Sequence, residues 1–253
     1  PAGYSGNLLL DVSDVPIGIA KFSDDGQTWS TTTDQEPTLG VSSIVINPNN
    51  PDSMYALTGD GDRGSLSGLT GAPRGDSKTL GVILSTDGGA TWDTTGLNFL
   101  ASEALLGRKL LMDPTNTKML ICAMSSGIYR TDDAGKTWSQ RYNDYFIDIE
   151  FHPTDPAIIY ASTLNFSGNC KVYRSTTNGQ FFSPIKTFSD GSRAALATTP
   201  DAPNSLFVLV AEKTTGAYEG LFKSTDLGNN LALTRSASVH GNILGSNRDG
   251  SST

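Results

Sequence analysis

The stretch STDGGATW at residues 85–92 decides the fold, because related copies of it recur along the chain. Four further copies fit the pattern S-x-D-x-G-x-T-W to different degrees: FSDDGQTW (22–29), TDDAGKTW (131–138), STTNGQFF (175–182) and STDLGNNL (224–231). Between the residues in the Asp position, the spacings are 63, 46, 44 and 49 residues. Repeats of about 40–50 residues are typical of propeller blades. The spacing therefore predicts a repeat fold in which each copy marks one unit.

Each copy, called a box from here on, has the composition of a hairpin turn. An Asp side chain accepts hydrogen bonds from nearby backbone amides, and Gly adopts the positive φ that a Cβ disfavours. Thr then returns the chain to a strand, which the aromatic residue anchors. We predict a structural role for the residues in the Asp, Gly and aromatic positions: Asp24, Gly26, Trp29, Asp87, Gly89, Trp92, Asp133, Gly135, Trp138, Gly179, Phe182, Asp226 and Gly228.

A second pattern precedes each of the last four boxes. Residues 42–57, 109–124, 147–162 and 195–210 each contain an apolar strand, a turn with proline and a second apolar strand. Together with the strands on either side of the box, each unit has four antiparallel strands, which describes a propeller blade. The sequence thus predicts an all-β propeller with about five visible blades and almost no helix. Residues 99–111 are a local candidate for one or two helical turns.

We expect residues 1–253 to form a single propeller domain, with an insertion loop at 58–80 and a weakly structured segment at 237–253. The first repeat has a box but lacks its first strand. Either residues 237–245 supply that strand and close a five-bladed ring, or the chain is part of a larger propeller with seven or more blades. The Gly, Ser and Asn content of residues 237–253 favours the larger propeller. The chain begins at Pro1 without a signal peptide, and we expect a mature or trimmed product.

Topology predicts two different faces. In an up-and-down blade the boxes and proline turns share one face, called the plain face, and all longer connections lie on the opposite, loop-rich face. Variable connections on a rigid scaffold are where binding usually occurs. Five aromatic residues are therefore candidates for stacking on sugar rings or packing against a protein ligand: Phe99, Tyr142, Tyr145, Phe166 and Tyr218. Alternatively, these residues cover the ends of the blades.

Composition excludes several partners. The net charge of -8 repels phosphate backbones, so we expect no nucleic-acid binding. No apolar run approaches the length of a membrane span. We expect no cofactor, and the two cysteines, Cys122 and Cys170, are interpreted as inert thiols rather than a disulfide. Asp60 and Asp62 suggest a calcium site, but the further ligands of a calcium loop are absent and a solvated loop is favoured.

The box resembles the Asp-box, or BNR repeat, of sialidases, sortilin-type receptors, two-propeller xyloglucan hydrolases and secreted bacterial repeat proteins. The proline turns NPNNPDSMY (47–55) and HPTDPAIIY (152–160) are most similar to the last group, large exported proteins that often end in a type IX secretion sorting domain. The resemblance implies a secreted or cell-surface protein with further blades or domains. It also implies O-glycosylation of Ser53 or Thr94, which follow an Asp as in the motif that some such bacteria modify.

The resemblance is specific for the fold and weak for function, because one fold hosts many activities. A glycoside hydrolase needs two carboxylates flanking the substrate. Acidic candidates on the loop-rich face are Asp34, Glu36, Asp60, Asp62, Asp76, Glu103, Asp144, Glu212 and Glu219. The sialidase arginine signature is missing. We expect a noncatalytic module that binds carbohydrate or protein, and the alternative is a polysaccharide-active hydrolase of sialidase or xyloglucanase type.

Overall fold

The computed structural model describes residues 19–21, 30–31, 40–59 and 78–240, and it confirms an all-β propeller of four-stranded antiparallel blades. A two-stranded ribbon comes first, with β1 (Ala20–Lys21) paired to β2 (Ser30–Thr31). Blade 1 comprises β3 (Val41–Ile46), β4 (Met54–Thr58), β5 (Gly81–Ser85) and β6 (Asp93–Asn98). Blade 2 comprises β7 (Gly107–Met112), β8 (Leu120–Met124), β9 (Gly127–Thr131) and β10 (Ser139–Tyr142).

Blade 3 comprises β11 (Phe146–Phe151), β12 (Ile159–Thr163), β13 (Cys170–Ser175) and β14 (Ser183–Phe188). Blade 4 comprises β15 (Gly191–Thr198), β16 (Leu206–Glu212), β17 (Tyr218–Ser224) and β18 (Ala232–Ser236). In all four sheets the strands pair in the order in which they follow along the chain. The first strand of each blade contacts the first strand of the next blade, so these strands surround the propeller axis.

Helix is nearly absent from the described residues. Within the helix candidate 99–111, only Ala101–Glu103 is helical, as a single 3₁₀ turn. Residues from Gly107 onward form β7 instead, because pairing with β8 outweighs their local helical spacing. The other helix, α1 (Ala237–His240), is one turn long. Residues 237–240 are therefore not the strand that ring closure by residues 237–245 requires.

The hydrophobic core lies between blades. One cluster joins Ile121 and Ile128 of blade 2 to Ile149 and Tyr173 of blade 3, and equivalent clusters join blades 1 and 2 and blades 3 and 4. The second strands β8 and β12 are buried at every position, because neighbouring blades cover both sides of them. Each blade therefore depends on its neighbours to bury its apolar surface.

The two cysteines are separate, buried thiols. Cys122 lies in the cluster between blades 1 and 2, and Cys170 lies in the cluster between blades 3 and 4. Burial raises the pKa of both thiols above the ordinary value. Because the thiolate is the reactive form, both side chains are chemically inert.

Candidate functional site

The plain face is made of paired turns. In each blade the box donates one backbone hydrogen bond to the proline turn of the same blade, as from the Gly88 nitrogen to the Asp52 oxygen (3.0 Å) and from the Leu227 nitrogen to the Asn204 oxygen (2.9 Å). The remaining described connections lie on the loop-rich face, at residues 59 and 78–80, 99–106, 125–126, 143–145, 164–169, 189–190 and 213–217. Structural turns and variable loops are thus on opposite faces.

The box carboxylates are used to hold their own turns. The Ser85 hydroxyl donates to Asp87 Oδ1 (2.8 Å) and accepts from the Gly89 nitrogen (2.8 Å). Asp87 also accepts from the Thr91 nitrogen (2.9 Å) and hydroxyl (2.6 Å). The hydrogen bonds from Thr91 hold the pKa of Asp87 well below its usual range. The Asp87 carboxylate is thus hydrogen-bonded within its own turn.

Two other boxes repeat this arrangement. Asp133 accepts from the Thr137 nitrogen (2.8 Å), and Asp226 accepts from the Asn230 nitrogen (2.9 Å). Backbone hydrogen bonds from Thr137 and Asn230 lower the pKa of Asp133 and Asp226, respectively, to about 2. At the last box the Asn230 amide takes the place of the Thr hydroxyl and donates to Asp226 Oδ2 (2.6 Å).

Each described box contains two successive residues in the left-handed region. The first has φ values of 71° at Gly88, 60° at Ala134, 53° at Asn178 and 63° at Leu227, and glycine always follows it. A left-handed conformation costs a residue with a Cβ about 1–2 kcal/mol, so Ala134 and Leu227 are strained. Glycine in the second position also avoids collision, since a Cβ on Gly179 would lie 2.7 Å from Ile121 Cδ1.

The box at 175–182 lacks both the Asp carboxylate and the Thr hydroxyl that are hydrogen-bonded to each other in the boxes at 85–92 and 131–138. Thr177 replaces Asp and accepts from the Phe181 nitrogen through its hydroxyl (3.0 Å), while Phe181 replaces the Thr whose hydroxyl would have donated to the missing carboxylate. The Phe181 side chain is 75% exposed. The loss of the acceptor and the loss of its donor thus occur in the same turn.

We expect Thr177→Asp combined with Phe181→Thr to raise the melting temperature by a few degrees at pH 7, because it restores a carboxylate that three amide and hydroxyl donors surround. The folded-state pKa of an Asp in this position is lowered, so the gain is present above the unfolded pKa and is lost as pH falls toward 2. Thermal unfolding followed by circular dichroism at pH 7 and near pH 2 measures it, with Phe181→Thr alone as control. An equal gain at both pH values contradicts the carboxylate mechanism.

The aromatic position of the box packs between blades. Trp138 packs against the cluster between blades 1 and 2, and its indole nitrogen donates to the Gly135 oxygen (3.1 Å). Trp92 packs beside Ile19, and Phe182 lies in the cluster between blades 2 and 3. Phe182 is a buried core residue, and Trp92 and Trp138 are half-buried against their clusters.

Several candidate residues lie outside the described part of the chain. These are the box residues Asp24, Gly26 and Trp29, the calcium candidates Asp60 and Asp62, and the acidic candidates Asp34, Glu36 and Asp76. Of the glycosylation candidates, Ser53 is half-buried beside a proline turn and Thr94 is exposed on β6. Within residues 40–59 and 78–240, no three His, Cys, Asp or Glu side chains group together as metal ligands. No helix in the described residues is long and apolar enough to cross a bilayer.

Three of the five aromatic candidates pack against other residues of the chain: Tyr218 is buried, and Phe99 and Tyr142 are half-buried. Tyr218 is only 2% exposed, and its hydroxyl donates to the Arg235 oxygen (2.8 Å). Phe99 packs edge-on against Tyr129 with ring centroids 5.9 Å apart. Tyr142 packs against Phe146 and Tyr173, with centroids 5.9 and 4.8 Å away. Sequence spacing places these residues near loops but does not show which way their rings face.

The connection between blades 2 and 3 brings together a carboxylate, a phenol and a guanidinium, here called the Asp144 corner. Asp144 accepts from the Tyr145 nitrogen (2.8 Å) and from the Tyr173 hydroxyl (3.3 Å). Arg108 donates to the Tyr145 hydroxyl (2.7 Å), and its guanidinium carbon lies 5.4 Å from the Tyr145 ring centroid. Burial raises the pKa of Tyr173, so its hydroxyl stays protonated and can donate to Asp144.

Phe166 is the other loop-rich aromatic residue with substantial exposure, at 48%. It lies in the connection between β12 and β13 of blade 3, the blade that begins directly after the Asp144 corner. A half-exposed ring is a suitable stacking surface for a sugar, which needs polar contacts as well.

Two acidic candidates on the same face cap their own turns. Glu103 accepts from the Leu100 nitrogen (2.6 Å). Glu212 accepts from the Thr214 and Thr215 nitrogens (2.7 Å each). Burial acts to raise the pKa of Glu212, but hydrogen bonds from Thr215 and Thr214 outweigh it and lower the value to about 2. Asp144 is consequently the better placed carboxylate for a ligand.

The sequence reasoning missed a charged cluster on the inner strands. Lys109 Nζ of blade 2 contacts Asp148 Oδ1 (2.9 Å) and Glu150 Oε1 (2.5 Å) of blade 3. Asp148 also accepts from the Leu196 nitrogen of blade 4 (2.7 Å), so one carboxylate links three blades. Burial raises the pKa of Glu150, although Lys109 opposes this. In β11, Asp148 and Glu150 alternate with apolar residues, and this alternation was the sequence signal for the cluster.

No protein-family model matches the chain. The chain is 30% identical over 131 residues to a xyloglucanase from Paenibacillus sp., covering 49% of this chain and 12% of that protein. It is 26% identical over 203 residues to a xyloglucanase from Acetivibrio thermocellus, covering 77% of this chain and 20% of that protein. The chain therefore spans about an eighth to a fifth of the length of these relatives.

Among solved structures, the chain is similar to the GH74 enzyme of Niastella koreensis, with a TM-score of 0.60 and 20% identity over 87% of this chain and 34% of that one. At this identity the likeness shows the propeller fold. The named relatives overturn the expectation of a noncatalytic module that is not an enzyme, and they favour the hydrolase alternative. The expectation failed because boxes report turn geometry and carry no information about chemistry.

Proposed function

We propose that this chain is a propeller portion of a glycoside hydrolase that acts on xyloglucan or a closely related polysaccharide. The observation that carries the proposal is the 26% identity to a xyloglucanase over 203 residues, which is 77% of this chain. A match of that length extends over several blades and the connections between them, well beyond the box octapeptides.

The Asp144 corner is the part of the loop-rich face that we assign to substrate. Asp144 supplies a partly buried carboxylate, Tyr145 a hydroxyl and an aromatic ring, and Arg108 a guanidinium. Sugar hydroxyls both donate and accept hydrogen bonds, so a mixture of acceptor and donor groups suits them. Phe166 of blade 3 supplies a second ring. In this role Asp144 binds or orients a sugar hydroxyl.

The proposal extends to the type of turn, the export of the protein and its further domains. The boxes are Asp-box turns, the protein is secreted or surface-exposed, and a sorting domain for type IX secretion lies elsewhere in it. A polysaccharide substrate supports export, because such polymers do not enter cells. We further propose that residues 1–253 belong to one propeller domain that has additional blades.

Reducing-end release from xyloglucan tests the proposal, with an unsubstituted β-glucan as the comparison substrate. We expect hydrolysis of xyloglucan by the protein at its natural length. Asp144→Asn should lower kcat/KM roughly 10- to 100-fold, the size expected for one charge-assisted hydrogen bond. Asp190→Asn is the matched control, because Asp190 is an exposed carboxylate on the same face, paired with Lys213.

The two parts of the proposal fail separately. If xyloglucan and related polysaccharides are not hydrolysed, the hydrolase assignment is wrong. If xyloglucan is hydrolysed and Asp144→Asn behaves like Asp190→Asn, the substrate lies elsewhere on the loop-rich face. Melting temperatures of both variants show whether a loss of rate reflects loss of folding.

A further inference from the structure

In each of blades 1, 2 and 3, one or both members of a cross-strand pair contact the box of the following blade. One member comes from the second strand and one from the third strand, and the two are paired in register: Tyr55 with Leu84, Ile121 with Arg130, and Tyr160 with Arg174. We call such a pair a box seat. Box seats occupy the side of the blade that faces its successor.

A polar group of the seat binds one backbone oxygen of the box. Tyr55 donates to the Ala134 oxygen (3.2 Å), Arg130 to the Asn178 oxygen (2.7 Å) and Arg174 to the Leu227 oxygen (2.5 Å). All three acceptors belong to the first left-handed residue of a box. Because the left-handed turn fixes the direction of this carbonyl, the seat recognises a backbone conformation.

An apolar group of the seat lies beside the glycine of the box. A Cβ on Gly179 would lie 2.7 Å from Ile121 Cδ1, and a Cβ on Gly135 or Gly228 would lie 3.5 Å from a ring carbon of Tyr55 or Tyr160. The seat therefore contacts both left-handed residues of the box, and at Gly179 it would also crowd a Cβ.

Blade 4 has a cross-strand pair at the equivalent positions. Phe207 of β16 is in register with Lys223 of β17, and the Lys223 ammonium lies 5.2 Å from the Phe207 ring centroid. Among the residues that the structure describes, none accepts a hydrogen bond from this ammonium. Phe207 is half-buried, whereas Tyr160 in the equivalent position of blade 3 is fully buried.

A neighbouring position on blade 4 is also less buried than its equivalent on blade 3. Leu221, two residues before Lys223, is half-buried. Val172 stands two residues before Arg174 and is fully buried under blade 4. This side of blade 4 thus has the apolar and cationic groups of an inter-blade interface, with less of it covered.

We infer that Phe207 and Lys223 form a fourth box seat, and that a box turn from a further blade of the same polypeptide occupies it. In the three preceding cases the occupant is the box next along the chain, and a left-handed carbonyl is the acceptor in each. Lys223 supplies the donor in place of arginine, and Phe207 supplies the apolar surface for glycine. The inference concerns assembly and does not depend on the proposed enzymatic activity.

Thiol labelling of Lys223→Cys in the protein at its natural length tests the inference. The natural cysteines Cys122 and Cys170 are buried, so their background reaction with a polyethylene-glycol maleimide is low. We expect the cysteine at 223 to react at least about ten times more slowly than one at the exposed position Lys136, and at a rate similar to that of Arg174→Cys, whose seat is filled.

Two outcomes overturn the inference. A labelling rate for Lys223→Cys equal to that for Lys136→Cys shows that the seat is open to solvent. Protection that disappears on dilution, together with a mass above monomer by light scattering, shows that a second copy occupies it. A second measurement avoids dependence on a cysteine variant: Lys223→Glu should lower the melting temperature as Arg174→Glu does, and Lys223→Arg should preserve it.

Discussion

Replacing Asp148 with Ala should lower the free energy of unfolding by roughly 3 kcal/mol, because the partly buried Lys109 ammonium loses one carboxylate and two amides lose their acceptor. Lys109 loses one of its two carboxylates, and the nitrogens of Ile149 and Leu196 lose their acceptor. The effect is expected to exceed that of an ordinary ion pair because the three contacts come from three different blades. Urea unfolding measured by tryptophan fluorescence gives the value.

Asp201→Ala is the control for this experiment. Asp201 is an exposed carboxylate in the proline turn of blade 4, and we expect its replacement to change stability by no more than about 0.5 kcal/mol. Asp148→Asn should fall between the two, since the amide keeps one oxygen acceptor and loses the charge. A cost below about 1 kcal/mol for Asp148→Ala shows that the inner strands do not depend on this carboxylate.

Replacing Trp138 with Ala should cost about 3 kcal/mol, the lower end for removal of a large aromatic residue from a core. The side chain is half-buried, packs between blades 1 and 2, and donates to the Gly135 oxygen. Phe181→Ala is the matched control, because Phe181 is an aromatic residue of the following box that is 75% exposed. Equal stabilities of the two variants would contradict a core role for the box tryptophan.

The fold was predictable because its signals are local. A box needs an acceptor side chain, two successive left-handed residues and an aromatic residue that anchors the next strand, all within eight residues. The residues at 85–92 and 131–138 contain each of these features. The blade boundaries follow from the spacing of the boxes. Even the degenerate box at 175–182 keeps its glycine, because Gly179 has a positive φ of 75° and a Cβ there would lie 2.7 Å from Ile121 Cδ1.

The candidate site was less predictable because it depends on which residues meet across blades. Lys109 and Asp148 are far apart in sequence, and only the adjacency of β7 and β11 brings them together. Tyr218 follows a loop and looks available, but its ring turns into the sheet. In the sequence Asp144 is one acidic loop residue among several, and only the fold brings the Tyr173 hydroxyl to its carboxylate.

The box seats have an evolutionary consequence. Blades 2 and 3 each carry a box that contacts the preceding blade and a seat that contacts the following blade, so an inserted copy of such a blade brings both halves of the required interface. Duplication of a stretch of gene about one repeat long would then lengthen the propeller without new complementary mutations on either side. Repeat number in proteins of this design should change more readily than the sequence at the seats.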